Sequence, residues 1–238
     1  MNYPFHISLL LILIVVALVV LIATALNKLA VIHSARRNVV YLSVGLLIGW
    51  LALMALVAAS GFFREFQTLP PRVAFGIVPT ILVITVLSAS PRVRRFLFAA
   101  PETWLIAYQV YRVPLEIVLW LLYSANLIPV QMTFEGRNFD IVPALLAPFI
   151  AYLCFVKKSW PRVIAVLWNV VGFLLVVNVA TTGLLSAPTP FRVFLNEPST
   201  RFVADFPYIW IPTFLVPLAL FGHVMSLLQL SKKYFAHK

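Results

Sequence analysis

Acidic residues are scarce in this chain: seven Asp and Glu stand against eighteen Lys and Arg, with four His and one Cys. Cys154 lies inside an apolar run, so an intrachain disulfide and a Cys-rich metal site are excluded. The segment 208–230 contains no lysine, which excludes the Schiff base of a seven-helix retinal protein. His223 is the single histidine within a long apolar run, so bis-histidine haem ligation inside a membrane lacks its second ligand. His6, His33 and His237 fall in flanking segments, and a three-histidine zinc site is not expected. There is no P-loop, no dinucleotide-binding glycine motif and no G-x-S-x-G elbow. Pro-Arg-Val recurs at 71–73, 91–93 and 161–163 without defining a repeat. The opening MNYPFHIS has no Lys or Arg before a run of about twenty apolar residues, which reads as an uncleaved first helix rather than a signal peptide.

What is abundant is hydrocarbon. The 238 residues are 63% hydrophobic and 11% charged, with a mean hydropathy of +1.01, far from the balance of a soluble domain. Seven apolar runs, roughly 7–26, 39–60, 73–90, 104–127, 140–156, 163–186 and 208–230, are long enough or nearly so to cross about 30 Å of hydrocarbon. The expected fold is therefore an all-α integral membrane bundle of seven transmembrane helices, one polytopic domain over 1–238. The fifth run is the shortest and carries Pro143 and Pro148.

The net charge of +11 is sorted by loop. With the N-terminus outside, one set of segments holds Lys28, Arg36, Arg37, Arg92, Arg94, Arg95, Lys157, Lys158, Arg162, Lys232, Lys233 and Lys238. The other holds Arg64, Arg72, Arg137, Arg192 and Arg201. The positive-inside rule then predicts an outer N-terminus and a cytoplasmic C-terminus. Acids run the other way: Glu65, Glu135, Asp140, Glu197 and Asp205 outside, Glu102 inside. The expected partners are membrane lipids, with anionic headgroups at the cytoplasmic face, and no nucleic acid. The expected location is the bacterial inner (plasma) membrane. Between the third and fourth runs, PRVRRFLFAA reads as a short interfacial helix.

The fourth run, WLIAYQVYRVPLEIVLWLLYSANL, carries Arg112 and Glu116 near its middle, with Pro114 between them. Tyr108, Arg112, Glu116 and Tyr123 fall near one helical face, with Asn126 about a turn beyond. Charges at this depth cost several kcal/mol and normally face the bundle interior with partners. Arg112 and Glu116 are an i, i+4 pair, readable as a structural ion pair or as a site in which Arg112 meets an anionic group and Glu116 accepts or carries a proton. Counting along regular helices brings Arg112, Asn169 and His223 to about 9–12 Å from the inner boundary, with Glu116 and Asn178 higher. Taken alone, Asn169 and Asn178 read as interhelical hydrogen-bonding groups.

A second constellation is expected at the outer rim. TFEGRNFD at 133–140 gathers Glu135, Arg137, Asn138 and Asp140 around Gly136, and the loop 188–207 adds Arg192, Asn196, Glu197, Arg201 and Asp205 among phenylalanines. Ion pairing between two lid-like loops is the simpler reading; acid/base chemistry or a hard cation is the sharper one. Three function classes stand open. The first is a transporter or sensor binding a small molecule or lipid headgroup in an intramembrane pocket of Arg112, Glu116, Tyr108, Asn169, Asn178 and His223. The second is an enzyme acting on a lipid or lipid-linked substrate at the outer face, and the third is an assembly or scaffolding subunit. No cofactor is implied.

Overall fold

A computed structural model describes residues 3–32 and 37–235; His33, Arg36, His237 and Lys238 lie outside the described residues, as do the side chains of Arg37 and Lys233. The described chain is helical, without strands. The α-helices are α1 (Phe5–Ile32), α2 (Arg37–Ala59), α3 (Ala74–Ala89), α4 (Pro91–Leu97), α5 (Glu102–Ala107), α6 (Arg112–Ser124), α7 (Ile141–Ala151), α8 (Arg162–Ser186) and α9 (Val216–Phe235). A 3-10 stretch, Tyr108–Tyr111, joins α5 to α6; π-turns at Tyr152–Val156 and Ile211–Leu215 extend α7 and precede α9.

Five helical segments are long and apolar enough to cross a membrane, and a sixth is reached if α3 and α4, bent by 75° at Ser90, form one span. The segment Ile141–Val156 falls short. Sixteen residues rise about 24 Å, less than the hydrocarbon thickness.

Local chemistry sets the breaks. Gly61 adopts φ 78° just after α2, the left-handed geometry that ends a helix without a Cβ clash. Ser90 Oγ accepts from the Val93 amide at the start of α4, where Pro91 occupies the first turn. The run 104–127 is not one regular helix. Pro114 cannot donate back to the preceding turn, and the chain tightens to 3-10 over Tyr108–Tyr111; Asn126 lies past the helix end at φ 57°. Asp140 does precede α7 but makes no side-chain cap. Asp205 precedes the last span and instead accepts from Tyr3 and Arg64.

The π-turn before α9 has a similar origin. Pro217 leaves the Thr213 carbonyl without its intrahelical donor, and two side chains replace it: Trp50 Nε1 and Thr80 Oγ1, each at 3.2 Å. Tyr111 donates to the Leu215 carbonyl at 2.6 Å, Tyr108 to Leu218 at 2.8 Å and Gln109 to Ala219 at 3.1 Å. This ladder fixes α5 and α6 against α9. It needs close approach: a Cβ at Gly222 would collide with the Tyr108 hydroxyl and Gln109 amide.

Loops gather at two ends. At one, Lys28 lies over the Trp104 ring, Gln229 donates to the Phe98 and Ala100 carbonyls, and Arg162 pairs with Glu102 at 3.6 Å. At the other, Tyr3 and Arg64 converge on Asp205 at 2.7 and 2.6 Å, and Gln67 donates to the Pro188 carbonyl. Burial, with the Asp205 hydrogen bond second, raises the Tyr3 phenol; the bond to Asp205 raises the Arg64 guanidinium.

Candidate functional site

The residues from 108 to 140 build the centre of the molecule. Arg112 is 1% exposed, and its Nη1 lies 3.1 Å from Asp140 Oδ1 and 3.2 Å from His223 Nε2. The carboxylate at ion-pair distance is therefore Asp140, not Glu116. Both Glu116 oxygens instead accept from Asn138 Nδ2 at 2.8 Å, and Asn138 Oδ1 accepts from the Asp140 amide. Asn138 and Asp140, expected at an outer rim, are buried, at 1% and 4% exposed. Within TFEGRNFD the side chains divide: Thr133, Asn138 and Asp140 are buried, while Glu135, Arg137 and Phe139 stay exposed. The inward part is closely packed: Thr133 is fully buried, and Gly136 lies so close to the Val130 carbonyl that any Cβ would collide.

On the far side of Arg112 a polar relay continues. A guanidinium only donates, so His223 Nε2 is the acceptor and Nδ1 carries the proton to Asn169 Oδ1, 3.0 Å away. Asn169 Nδ2 then donates to the Ala165 carbonyl and to Ser226 Oγ. The imidazole packs against the Trp168 ring, whose Nε1 donates to the Pro143 carbonyl. Gly172 makes room for it; a Cβ there would strike the ring. Of the residues grouped by depth, Arg112, Asn169 and His223 are in contact. Tyr108 bonds the α9 backbone, and Asn178 is exposed, donating to the Arg137 carbonyl at 2.8 Å.

The rest of the rim is held by separate partners. Glu135 accepts from Trp120 at 2.6 Å; Arg192 pairs with Glu197 at 2.7 Å and donates to the Phe194 and Asn196 carbonyls. That hydrogen bond to Arg192 holds the Glu197 carboxyl below its ordinary value. Asn196 of the second loop forms a reciprocal amide pair with Gln131, just before the first, and Arg137 lies over the Phe194 ring; among the described residues no salt bridge joins the two loops. Sequence reasoning missed Gln131, Ser226, Trp168 and Gly172. The shortness of the fifth run was the available signal for Asp140; nothing in the linear pattern marks Ser226 or Gly172.

A cavity of about 310 Å³ adjoins the cluster. Its charged lining residues are Arg112, Glu116 and Asp140; Tyr111 and Thr181 are the other lining residues with polar side chains, and the remaining wall, from α3, α6, α8, the Pro212–Pro217 turn, the start of α9 and loop residues such as Phe66, Met132 and Phe202, is apolar. Arg112 Nε and Nη2 have no hydrogen-bond acceptor among the described residues.

With this geometry in view, the family described as a domain of unknown function (DUF8737) matches residues 68–231. The chain belongs to that family. No curated protein matches the chain, and no solved structure matches it. The matched region contains every residue of the buried polar cluster, whereas α1 and α2 precede it.

Proposed function

We propose that this is a seven-helix membrane protein, a transporter or sensor, that binds a small molecule or lipid headgroup beside Arg112. The carrying observation is a guanidinium buried on a cavity wall with two of its three nitrogens unbonded. A buried donor left unmade costs about 1–3 kcal/mol, more when charged, and a ligand oxygen there recovers that cost on binding. Intramembrane ionisable groups facing a cavity mark ligand pathways more often than inert packing. Proline-broken helices around the cavity, at Pro114, Pro212 and Pro217, fit a binding site at mid-depth.

The same reading has seven crossings, the N-terminus outside and the C-terminus in the cytoplasm of a bacterium, because the basic residues concentrate at the end that holds Lys28, Arg94 and Lys158. Cysteines replacing Leu195 and Lys158 in a Cys154→Ala background test it. An impermeant thiol reagent outside sealed cells should label the first and spare the second, and the reverse pattern rejects the orientation. For the pocket, the test is a thermal-stability screen of soluble headgroups and small metabolites, charged and neutral. Ligands that stabilise the wild type should fail on Arg112→Met/Asp140→Asn; equal stabilisation of both proteins rejects the pocket.

A further inference from the structure

We infer that the occupant is a neutral amphiphile, a long hydrocarbon chain ending in a hydroxyl or carbonyl oxygen, admitted from the bilayer between α3 and α8. This rests on the pocket reading and specifies its ligand. The walls argue for the chain. Ile77 and Ile81 of α3 face the same cavity as Ala180, Thr181 and Leu184 of α8, yet α3 packs on α9 and makes no extended contact with α8. Ala180, Thr181 and Leu184 are exposed on the surface of α8 while lining the cavity, so its mouth opens sideways where hydrocarbon would lie. At about 310 Å³ it is at the small end of ligand pockets, enough for a head and the first part of a chain whose remainder stays in lipid.

The polar end argues for a head without charge. Arg112 already has a counter-ion in Asp140, and Glu116 lines the same cavity. An anionic head would bring a further negative group against one guanidinium in a medium of low dielectric, where uncompensated charge is most costly. Nε and Nη2 are closed off in this conformation; once adjoining side chains move aside, a neutral oxygen can accept from either without disturbing the ion pair. A hydroxyl also has a proton to donate to Asp140 Oδ1, which is ion-paired with Arg112 but has no hydrogen-bond donor aligned on it.

The experiment uses the full chain in nanodiscs of dioleoylphosphatidylcholine, with tetradecanol, tetradecyl phosphate or tetradecane added at a few mole per cent, and reads Tm. Tetradecanol should raise the wild-type Tm by several degrees, tetradecyl phosphate less and tetradecane not at all. Ala180→Phe, at the mouth and away from the polar cluster, should abolish the shift; Leu184→Trp serves if that variant does not fold. A larger mouth-sensitive shift with tetradecyl phosphate overturns the neutral head while leaving the pocket standing. An alcohol shift that both mouth variants retain, or no shift from any probe, overturns the lateral amphiphile site, and the soluble screen above then decides the pocket separately.

Discussion

In their most apolar windows α1 and α2 have 22% and 17% of residues buried inside the protein, whereas the α5–α6 segment and the span leading into α9 have 50% and 56%. The first pair presents most of its surface outward and makes few polar side-chain contacts along its length, Trp50 to Thr213 being one that reaches the centre. The second pair carries Gln109, Arg112, Glu116, His223, Ser226 and Gln229, all buried. A membrane removes the hydrophobic incentive to bury leucine, because lipid is as apolar as a core. Helices rich only in Leu, Ile and Val can therefore remain peripheral, while helices with polar groups must find protein partners. The family match, which begins after α2, follows the same division.

The largest test of that contrast is Arg112→Met. It leaves Asp140 buried without its counter-ion, a change expected to cost about 3–5 kcal/mol in a protein interior. Adding Asp140→Asn should recover much of the loss, and adding Glu116→Gln much less, since Asn138 rather than Arg112 clamps that carboxylate. Unfolding curves of the single and double mutants decide this; equal recovery by the two partners would dissolve the assigned pairing. The next effect sharpens the comparison directly. Gly172→Ala should lose roughly 1–3 kcal/mol by driving a methyl into the His223 ring. Gly49→Ala in α2, where a Cβ meets nothing within 4 Å, should be neutral or gain up to about 1 kcal/mol of helix propensity. Similar unfolding midpoints for these two variants would break the distinction between central and peripheral helices.

Smaller effects probe the borders. Trp50→Phe removes one of two donors to the Thr213 carbonyl and should cost about 1 kcal/mol, read from the same unfolding curves. At the rim, Glu197→Gln should change stability by roughly 0–1 kcal/mol, because the glutamate is exposed and its pair with Arg192 is screened. The folded-state carboxyl of Glu197 is depressed, so its contribution is complete above the ordinary glutamate value of about 4.3 and is lost as pH falls through the folded value. Acid unfolding of wild type and Glu197→Gln should therefore converge at low pH and separate slightly above it.

By itself the sequence determined the environment and the inventory of this protein. Runs of Leu, Ile and Val set the helical segments, because in hydrocarbon every backbone group must be bonded within its own segment. Pro91, Gly61 and Pro114 set where the backbone breaks, since missing donors and left-handed turns are properties of single residues. Arg112 was recognisable as a centre because charge at that depth demands partners. Which partners it found was decided only in three dimensions. The linear pattern offered Glu116 one turn away, but the fold set Asp140, at the start of α7, against Arg112, and Gly172 let His223 approach from α9. Those pairings depend on how deep a loop sinks and how closely two helices cross. Both follow from packing among segments far apart in the chain, which no local spacing encodes.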